Sequence, residues 1–181
     1  NNLLDRSGLK IINVEPISVH GGSNRIWAVK KESKIGMPFD LEHYLAQEEL
    51  MGVANLEALT LFSQRVERSR EDLLELLQSL KDQNKKVISY GATSKSTTIF
   101  NYCGIDNSLV EYITDTTPEK QGLFSPGVHI PVIKAPLKID ESVDIAFLGA
   151  WNFEEEIKKK ERSFVDRGGK FITHVPKVLL R

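Results

Sequence analysis

The sequence after residue 86 predicts an α/β domain built on a doubly wound parallel β-sheet. Short apolar runs alternate there with longer helical runs, which is typical of parallel strands joined by crossover helices. The short runs are rich in valine and isoleucine, as expected for strands that are covered on both faces. Because such crossovers are right-handed, we expect five strands in the order 3-2-1-4-5 across the sheet.

The composition indicates a globular protein without nucleic-acid or membrane partners. The 181 residues are 40% hydrophobic and 27% charged, which is typical of a chain that buries a core. The 24 lysine and arginine residues are balanced by 25 acidic residues, so no excess positive charge is available to bind the phosphate backbone of a nucleic acid. No apolar run approaches the ~20 residues of a membrane span, and the N-terminus does not resemble a signal peptide. We therefore expect a cytoplasmic protein.

Residues 1–33 predict a β-hairpin that needs a further sheet to pack against. Residues 9–14 and 23–29 are rich in isoleucine and valine, and the stretch between them contains a proline and two glycines. A lone hairpin cannot bury its apolar positions. We therefore expect these two strands to be the edge of a larger domain.

Residues 34–85 predict a linker followed by a long amphipathic helix. Gly36 and Pro38 interrupt the polar run 31–40, and Asp40 can cap a short helix that ends near residue 50. A longer helix follows and is closed by Asn84. Its apolar stripe comprises Leu59, Phe62, Val66, Ser69, Leu73, Leu76 and Leu80. We expect the stripe to pack against the chain's own domains, with a coiled-coil dimer as the alternative.

Residues 86–181 hold the elements of the predicted sheet. The expected strands are residues 87–90, 110–114, 130–133, 143–148 and 170–174, and the expected helices are residues 95–102 and 153–167. Cys103 has no neighbouring charge that would activate its thiol, so we expect it in the core. We find no metal-ligand spacing and no catalytic constellation, which favours a binding domain over a self-sufficient catalyst.

The segment 87–98 predicts a strand that runs through a small-residue turn into a helix. Small residues let backbone N–H groups approach a ligand closely, and the helix N-terminus adds partial positive charge, so the turn suits a phosphate. The candidate ligands are Gly91, Ala92, Thr93, Lys95 and Ser96. The turn matches neither GxGxxG nor the Walker pattern. An ordinary tight turn capped by Ser94 is the alternative.

Asp115 and Lys120 are candidates in the next loop. Asp115 lies 24 residues beyond Gly91, near the ~20-residue spacing at which an acidic residue meets a ribose hydroxyl. It can equally cap the turn that follows it. Residues 115–131 form a long polar loop at a strand end, where Lys120 can face a ligand, whereas His129 fits a structural role better than a catalytic one.

Trp151 and Asn152 follow the fourth predicted strand. The indole of Trp151 can stack on a base or lie in the core. Asn152 with Glu155 three positions later can form a capping box, and this structural role would explain both residues.

Five motifs in register resemble the sugar-nucleotide C-methyltransferases of deoxysugar biosynthesis. They are HGGS at 20–23, GATSKS at 91–96, NYCGI at 101–105, DTTPEKQGLFSPGVHIP at 115–131 and AWNF at 150–153. Their order and spacing match through nearly the whole chain. One departure is that Ser96 and Thr97 stand where the family pattern has glycine and asparagine.

The resemblance implies a fold and a role for each segment. Residues 86–181 would be the family's Rossmann-like C-terminal domain, and residues 1–33 the last strands of its central S-adenosylmethionine domain. The family methylates C3 of a nucleotide-linked 4-keto-6-deoxysugar, and its zinc module, its methyl-donor site and its proton-abstracting residues would lie upstream of Asn1. This chain would therefore bind the sugar nucleotide, with no catalytic residue, metal or S-adenosylmethionine of its own. A nicotinamide-dependent oxidoreductase module and a structural docking domain are the alternatives.

Overall fold

The computed structural model describes residues 1–36, 39–53 and 55–181. The chain divides into two compact units, a hairpin unit of residues 1–63 and a sheet unit of residues 64–181. Pro38, part of the predicted linker, lies outside the described residues.

The hairpin unit contains the predicted pair of antiparallel strands. Helix α1 (Asn2–Arg6) precedes strand β1 (Leu9–Ile17), which pairs with β2 (Ser23–Lys30) and has an irregular register between Ile11 and Asn13. No described residue of either strand is fully buried. The side chain of Asp40 accepts a hydrogen bond from the His43 amide and caps helix α2 (Leu41–Leu50), which confirms the predicted cap.

Helix α3 (Leu56–Asp82) begins in the hairpin unit and continues into the sheet unit. Asn84 follows it with a φ of 56°, in agreement with the predicted end of the helix. Within the sheet unit the buried helix residues are Leu73, Leu77 and Leu80. The predicted stripe named Leu76 instead of Leu77, and an α-helix drifts by ~20° per heptad, so a strict heptad pattern moves off the buried face.

The sheet unit is α/β, as predicted, with a six-stranded and mostly parallel sheet. Its strands are β3 (Val87–Tyr90), β4 (Ile113–Asp115), β5 (Val132–Lys134), β6 (Ile145–Leu148), β7 (Lys170–Thr173) and β8 (Leu179–Leu180), in the spatial order β5-β4-β3-β6-β7-β8. All pairs are parallel except β7 with β8. The expectation of five parallel strands was therefore wrong in one respect, because the two residues of β8 are too few to produce a recognisable pattern.

Helices cover both faces of the sheet. On the first face, α3 and α4 (Ser94–Cys103) pack against the odd-numbered positions of β3, β4 and β6. On the second face, α5 (Glu154–Lys160), α6 (Arg162–Asp166) and the segment before β6 pack against Ile88, Ala146 and Leu148. Cys103 is buried in the first core, as predicted, and burial raises the pKa of its thiol.

The single helix predicted over residues 153–167 is interrupted. Helix α5 ends at Lys160, and α6 begins at Arg162. Between them Glu161 takes non-helical angles, φ −97° and ψ 34°. Its carboxylate is buried and accepts hydrogen bonds from the interior, from the Tyr90 hydroxyl and the Ile139 amide. A run of charged residues such as this one is ordinarily a continuous solvated helix face, which is why the sequence did not indicate the break.

Candidate functional site

The carboxyl ends of four parallel strands surround a cavity of about 310 Å³, which we call the edge cavity. Gly91, Asp115, Ala135 and Ala150 follow or end β3, β4, β5 and β6 and line it. Helix α5 supplies another wall through Ile157 and Lys160. Ligands in open α/β sheets bind at this position, in the crevice outside the carboxyl ends of the strands. The structure thus brings Gly91 and Asp115 to one edge.

The turn after β3 runs unusually close to the turn after β6. Gly91 has a φ of +96°, which favours glycine. A Cβ on Gly149 would lie 2.4 Å from the carbonyl oxygen of Gly91, so this position also requires glycine. The Thr93 hydroxyl donates to the Gly149 carbonyl over 2.6 Å. These contacts hold the two turns together.

Helix α4 is capped by Thr93, not by Ser94. Thr93 Oγ1 accepts a hydrogen bond from the Ser96 amide, and Ser96 Oγ accepts one from the Thr93 amide, both over 3.1 Å. The two residues form a reciprocal capping box. Ser96, which stands where the resemblance implies a glycine, is fully buried, so its side chain does not obstruct an approach from solvent.

Two amides at the start of α4 remain available to a ligand. The N–H groups of Ser94 and Lys95 have no hydrogen-bond partner among the residues that the structure describes. The side chain of Lys95 is half-buried and likewise makes no ion pair there. Unpaired amides and the positive end of the helix dipole favour an anion at this place. A separate cavity of about 510 Å³ lies beside it, lined by Ala92, Thr93 and Lys120.

The carboxylate of Asp115 bonds to the turn that follows β3. Its carboxylate accepts hydrogen bonds from the amides of Ala92 (2.7 Å) and Thr117 (2.8 Å) and lies 3.5 Å from the ammonium of Lys120. Burial alone would raise the pKa of Asp115, but the bonds from Thr117 and Ala92 and the charge of Lys120 outweigh it and lower the pKa. Asp115 is therefore a carboxylate at neutral pH, with structural bonds already in place.

Lys120 is also engaged within the protein. Its ammonium donates to the Ala92 carbonyl over 2.8 Å, in addition to its ion pair with Asp115. The structure therefore places Lys120 beside the turn after β3, where its ammonium bonds to the Ala92 carbonyl.

The residues after β6 adopt a different local structure from the one predicted. Trp151 to Phe153 form a 3-10 turn, and α5 starts at Glu154 without a side-chain cap, so the predicted Asn152–Glu155 capping box is wrong. Asn152 lies inside the 3-10 turn, so the helix begins at Glu154, one residue later than predicted. Trp151 packs against the hydrophobic core on the second face of the sheet. The Oδ1 atom of Asn152 is buried without a hydrogen-bond partner in the described part of the chain.

Three residues near the edge cavity were not identified from the sequence: Tyr90, Lys160 and Glu161. Lys160 Nζ donates to Tyr90 Oη over 3.0 Å, and Tyr90 Oη donates to Glu161 Oε1 over 2.9 Å. Burial, together with the bond to Glu161, raises the pKa of Tyr90. The sequence offered one signal for this group: Tyr90 stands directly before Gly91, a predicted site residue.

Neither His129 nor His174 lines the edge cavity. His174 follows β7, is buried and stacks on Phe147 with ring centroids 5.3 Å apart. Burial lowers the pKa of His174 to about 4, so it is neutral at neutral pH. His129 is exposed in the loop before β5, with a φ of 56°. Among the described residues no cluster of three or more metal-binding side chains occurs, and no helix is long and apolar enough to cross a membrane.

Comparisons with known proteins agree with the resemblance seen in the motifs. Residues 18–176 match the family model described as the C-methyltransferase C-terminal domain. The chain is 31% identical over 174 residues to the C-methyltransferase NovU of Streptomyces niveus, a match that covers 96% of this chain and 41% of NovU. It therefore spans less than half the length of that relative. Since the family match covers most of the chain, this protein belongs to the family of C-methyltransferase C-terminal domains.

Proposed function

We propose that this chain binds the nucleotide-linked sugar on which a C-methyltransferase acts. One observation carries the proposal: two unpaired amides at the start of α4 lie beside the turn at Gly91, which also lines a cavity bounded by four strand ends. In this proposal the parallel strands serve as a Rossmann-like scaffold of order 3-2-1-4-5, with the ligand at the carboxyl edge.

The diphosphate is proposed to lie against residues 91–96. The amides of Ser94 and Lys95 and the Lys95 ammonium are donors there that have no partner among the described residues. Gly91 and Ala92 permit close approach of the backbone, whereas Thr93 and Ser96 act by fixing the direction of the helix.

The nucleoside is proposed to occupy the edge cavity, toward residues 115–120. A cavity of about 310 Å³ is at the lower end of the range for small-molecule sites. Each carboxylate oxygen of Asp115 retains capacity for a ribose hydroxyl beside its existing bonds. Lys120 holds the Ala92 backbone on this side. Trp151 and Asn152 directly follow Ala150, which lines this cavity, and we assign both to the ligand site. The Oδ1 atom of Asn152, which has no hydrogen-bond partner among the described residues, is proposed to accept a donor from the ligand.

The proposed reaction of the complete protein is methyl transfer to C3 of a nucleotide-linked 4-keto-6-deoxysugar. S-adenosylmethionine would supply the methyl group. The ketone acidifies the proton at C3, which a base would remove. The enolate carbon would then bond to the methyl carbon while the S–CH3 bond of the sulfonium breaks, so that S-adenosylhomocysteine leaves with that electron pair. We assign the edge cavity to the sugar nucleotide, so the methyl donor and the base are assigned to other parts of the protein. This chain contributes by positioning the sugar.

A ligand comparison tests the proposal. Isothermal titration calorimetry of this chain with a thymidine-diphospho-sugar, S-adenosylmethionine and NAD should show binding of the sugar nucleotide alone. Tighter binding of NAD would favour the nicotinamide-dependent alternative, for which the spacing of Gly91 and Asp115 is the supporting observation. Binding of none of the three would leave the docking-domain alternative. Methyl transfer catalysed by this chain alone would refute the assignment of the base and donor elsewhere.

A further inference from the structure

A chain of hydrogen bonds fixes a lysine at the wall of the edge cavity. Lys160 is bonded to the hydroxyl of Tyr90, and that hydroxyl is bonded to the carboxylate of Glu161. Glu161 is only 1% exposed, and its second oxygen accepts the Ile139 amide over 3.1 Å. A buried carboxylate anchored to the backbone therefore determines where the Tyr90 hydroxyl lies, and through it the position of the Lys160 ammonium.

The ammonium of Lys160 retains donors that a ligand can use. One of its three N–H groups bonds to Tyr90, and its nearest carboxylate oxygen, on Glu161, is 4.0 Å away, beyond hydrogen-bond distance. The side chain is 51% exposed and lines the cavity together with Gly91. The hydrogen bond to Tyr90 raises the pKa of Lys160, so the group remains charged at neutral pH.

The other charged groups at this cavity are two carboxylates, those of Asp115 and Glu156. Asp115 accepts two backbone amides and pairs with Lys120, which in turn bonds to the Ala92 carbonyl. Glu156 is exposed on α5. Among the described residues that line the edge cavity, Lys160 is therefore the cation with donors to spare.

We propose that Lys160 binds a phosphate of the nucleotide-linked ligand, with Tyr90 and Glu161 as positioning residues. This inference rests on the proposed function. Helices α4 and α5 cover opposite faces of the sheet, so Lys95 and Lys160 belong to elements on opposite sides of Gly91. A diphosphate above Gly91 thereby meets one cation from each side, and a point charge such as a lysine ammonium suits phosphate oxygens.

Calorimetry on the 181-residue chain with thymidine diphosphate and with thymidine tests the assignment. Lys160→Ala should weaken binding of the diphosphate by about ten- to a hundredfold and leave binding of the uncharged nucleoside unchanged. Lys160→Arg should restore most of the affinity. Lys159→Ala removes the exposed neighbouring lysine on the same helix and should have no effect. Tyr90→Phe should weaken binding of the diphosphate several-fold, because it removes the bond that places Lys160.

The outcomes separate this inference from the proposed function. If wild-type protein binds thymidine diphosphate and Lys160→Ala binds it equally well, the role of Lys160 is refuted while the proposed function stands. Equal losses for thymidine and its diphosphate would also overturn the phosphate assignment. If the wild-type chain binds neither compound, both proposals fail. Lys160→Met, which keeps the apolar stem of the side chain, replaces the alanine variant if circular dichroism shows that the latter is misfolded.

Discussion

Replacing Gly149 with alanine is expected to destabilise the sheet unit and displace the turn at Gly91. The added Cβ would lie 2.4 Å from the Gly91 carbonyl oxygen and 3.1 Å from that of Tyr90. Both oxygens belong to the backbone, so no side-chain rotation can relieve the contact. An ordinary carbon–oxygen contact of ~3.3 Å requires the two turns to separate by roughly 1 Å. The Thr93 hydroxyl, which donates to the Gly149 carbonyl, opposes this movement.

The free energy of unfolding should fall by about 1–3 kcal/mol, the usual cost of forcing an extra carbon into a packed site. Equilibrium denaturation in urea measures this change as a lower midpoint. Gly36→Ala is the control, because none of the residues that the structure describes lies within 4 Å of its added Cβ. The control should differ from wild type by less than about 0.5 kcal/mol. If Gly149→Ala and wild type have the same midpoint, the close approach of the two turns is not a constraint and the argument is wrong.

The remaining predictions concern binding and the dependence of stability on pH. Lys95→Ala should weaken binding of a nucleotide-linked sugar by about 1.5–3 kcal/mol, the typical value of one charge-assisted hydrogen bond, without changing the urea midpoint. Equal affinities of the variant and the wild type in calorimetry would show that residues 91–96 are an ordinary turn. Lys177→Ala, an exposed lysine elsewhere, is its control and should bind like wild type. Asp115→Asn should lower the unfolding free energy at pH 7 by about 1–3 kcal/mol. Because the folded state lowers the pKa of Asp115, this stabilisation is present above the unfolded pKa and is lost as pH falls through the folded value, so the variant should show a smaller loss in acid. His174 is buried in its neutral form, with a pKa of about 4, so the unfolding free energy of the wild type should fall by up to about 3 kcal/mol between pH 6.5 and pH 4. His174→Phe should remove this part of the pH dependence in thermal melts. An unchanged pH dependence would contradict the assignment.

Some features of the site follow from sequence pattern because they depend on local chemistry. Gly91 and Asp115 both come directly after short apolar runs, and parallel strands end at the same edge, so their proximity could be predicted. The cap of α4 could not be placed, because Thr93 and Ser94 are adjacent hydroxyl residues and either can accept the capping bond. The contact that decides between them, from Thr93 to the Gly149 carbonyl, joins residues far apart in the sequence.

Other features depend on contacts that leave no pattern. Lys160 and Glu161 lie in a run of charged residues, and their sequence alone gives no reason to distinguish them from a solvated helix face. Only the distant partners Tyr90 and Ile139 make Glu161 an interior residue. Strand β8 is likewise too short for alternation to be visible and is defined by its pairing with β7.

The reciprocal cap of Thr93 and Ser96 has a consequence for the affinity of any ligand that binds there. Because the cap and the contact with Gly149 already fix the first turn of α4, the two free amides keep their directions before a ligand arrives. Such preorganisation spares the loss of conformational entropy that a mobile loop incurs on binding. We expect the capped amides of Thr93 and Ser96 to exchange slowly with solvent in the free chain. The unpaired amides of Ser94 and Lys95 should exchange fast in the free chain and slow down when a ligand accepts their hydrogen bonds.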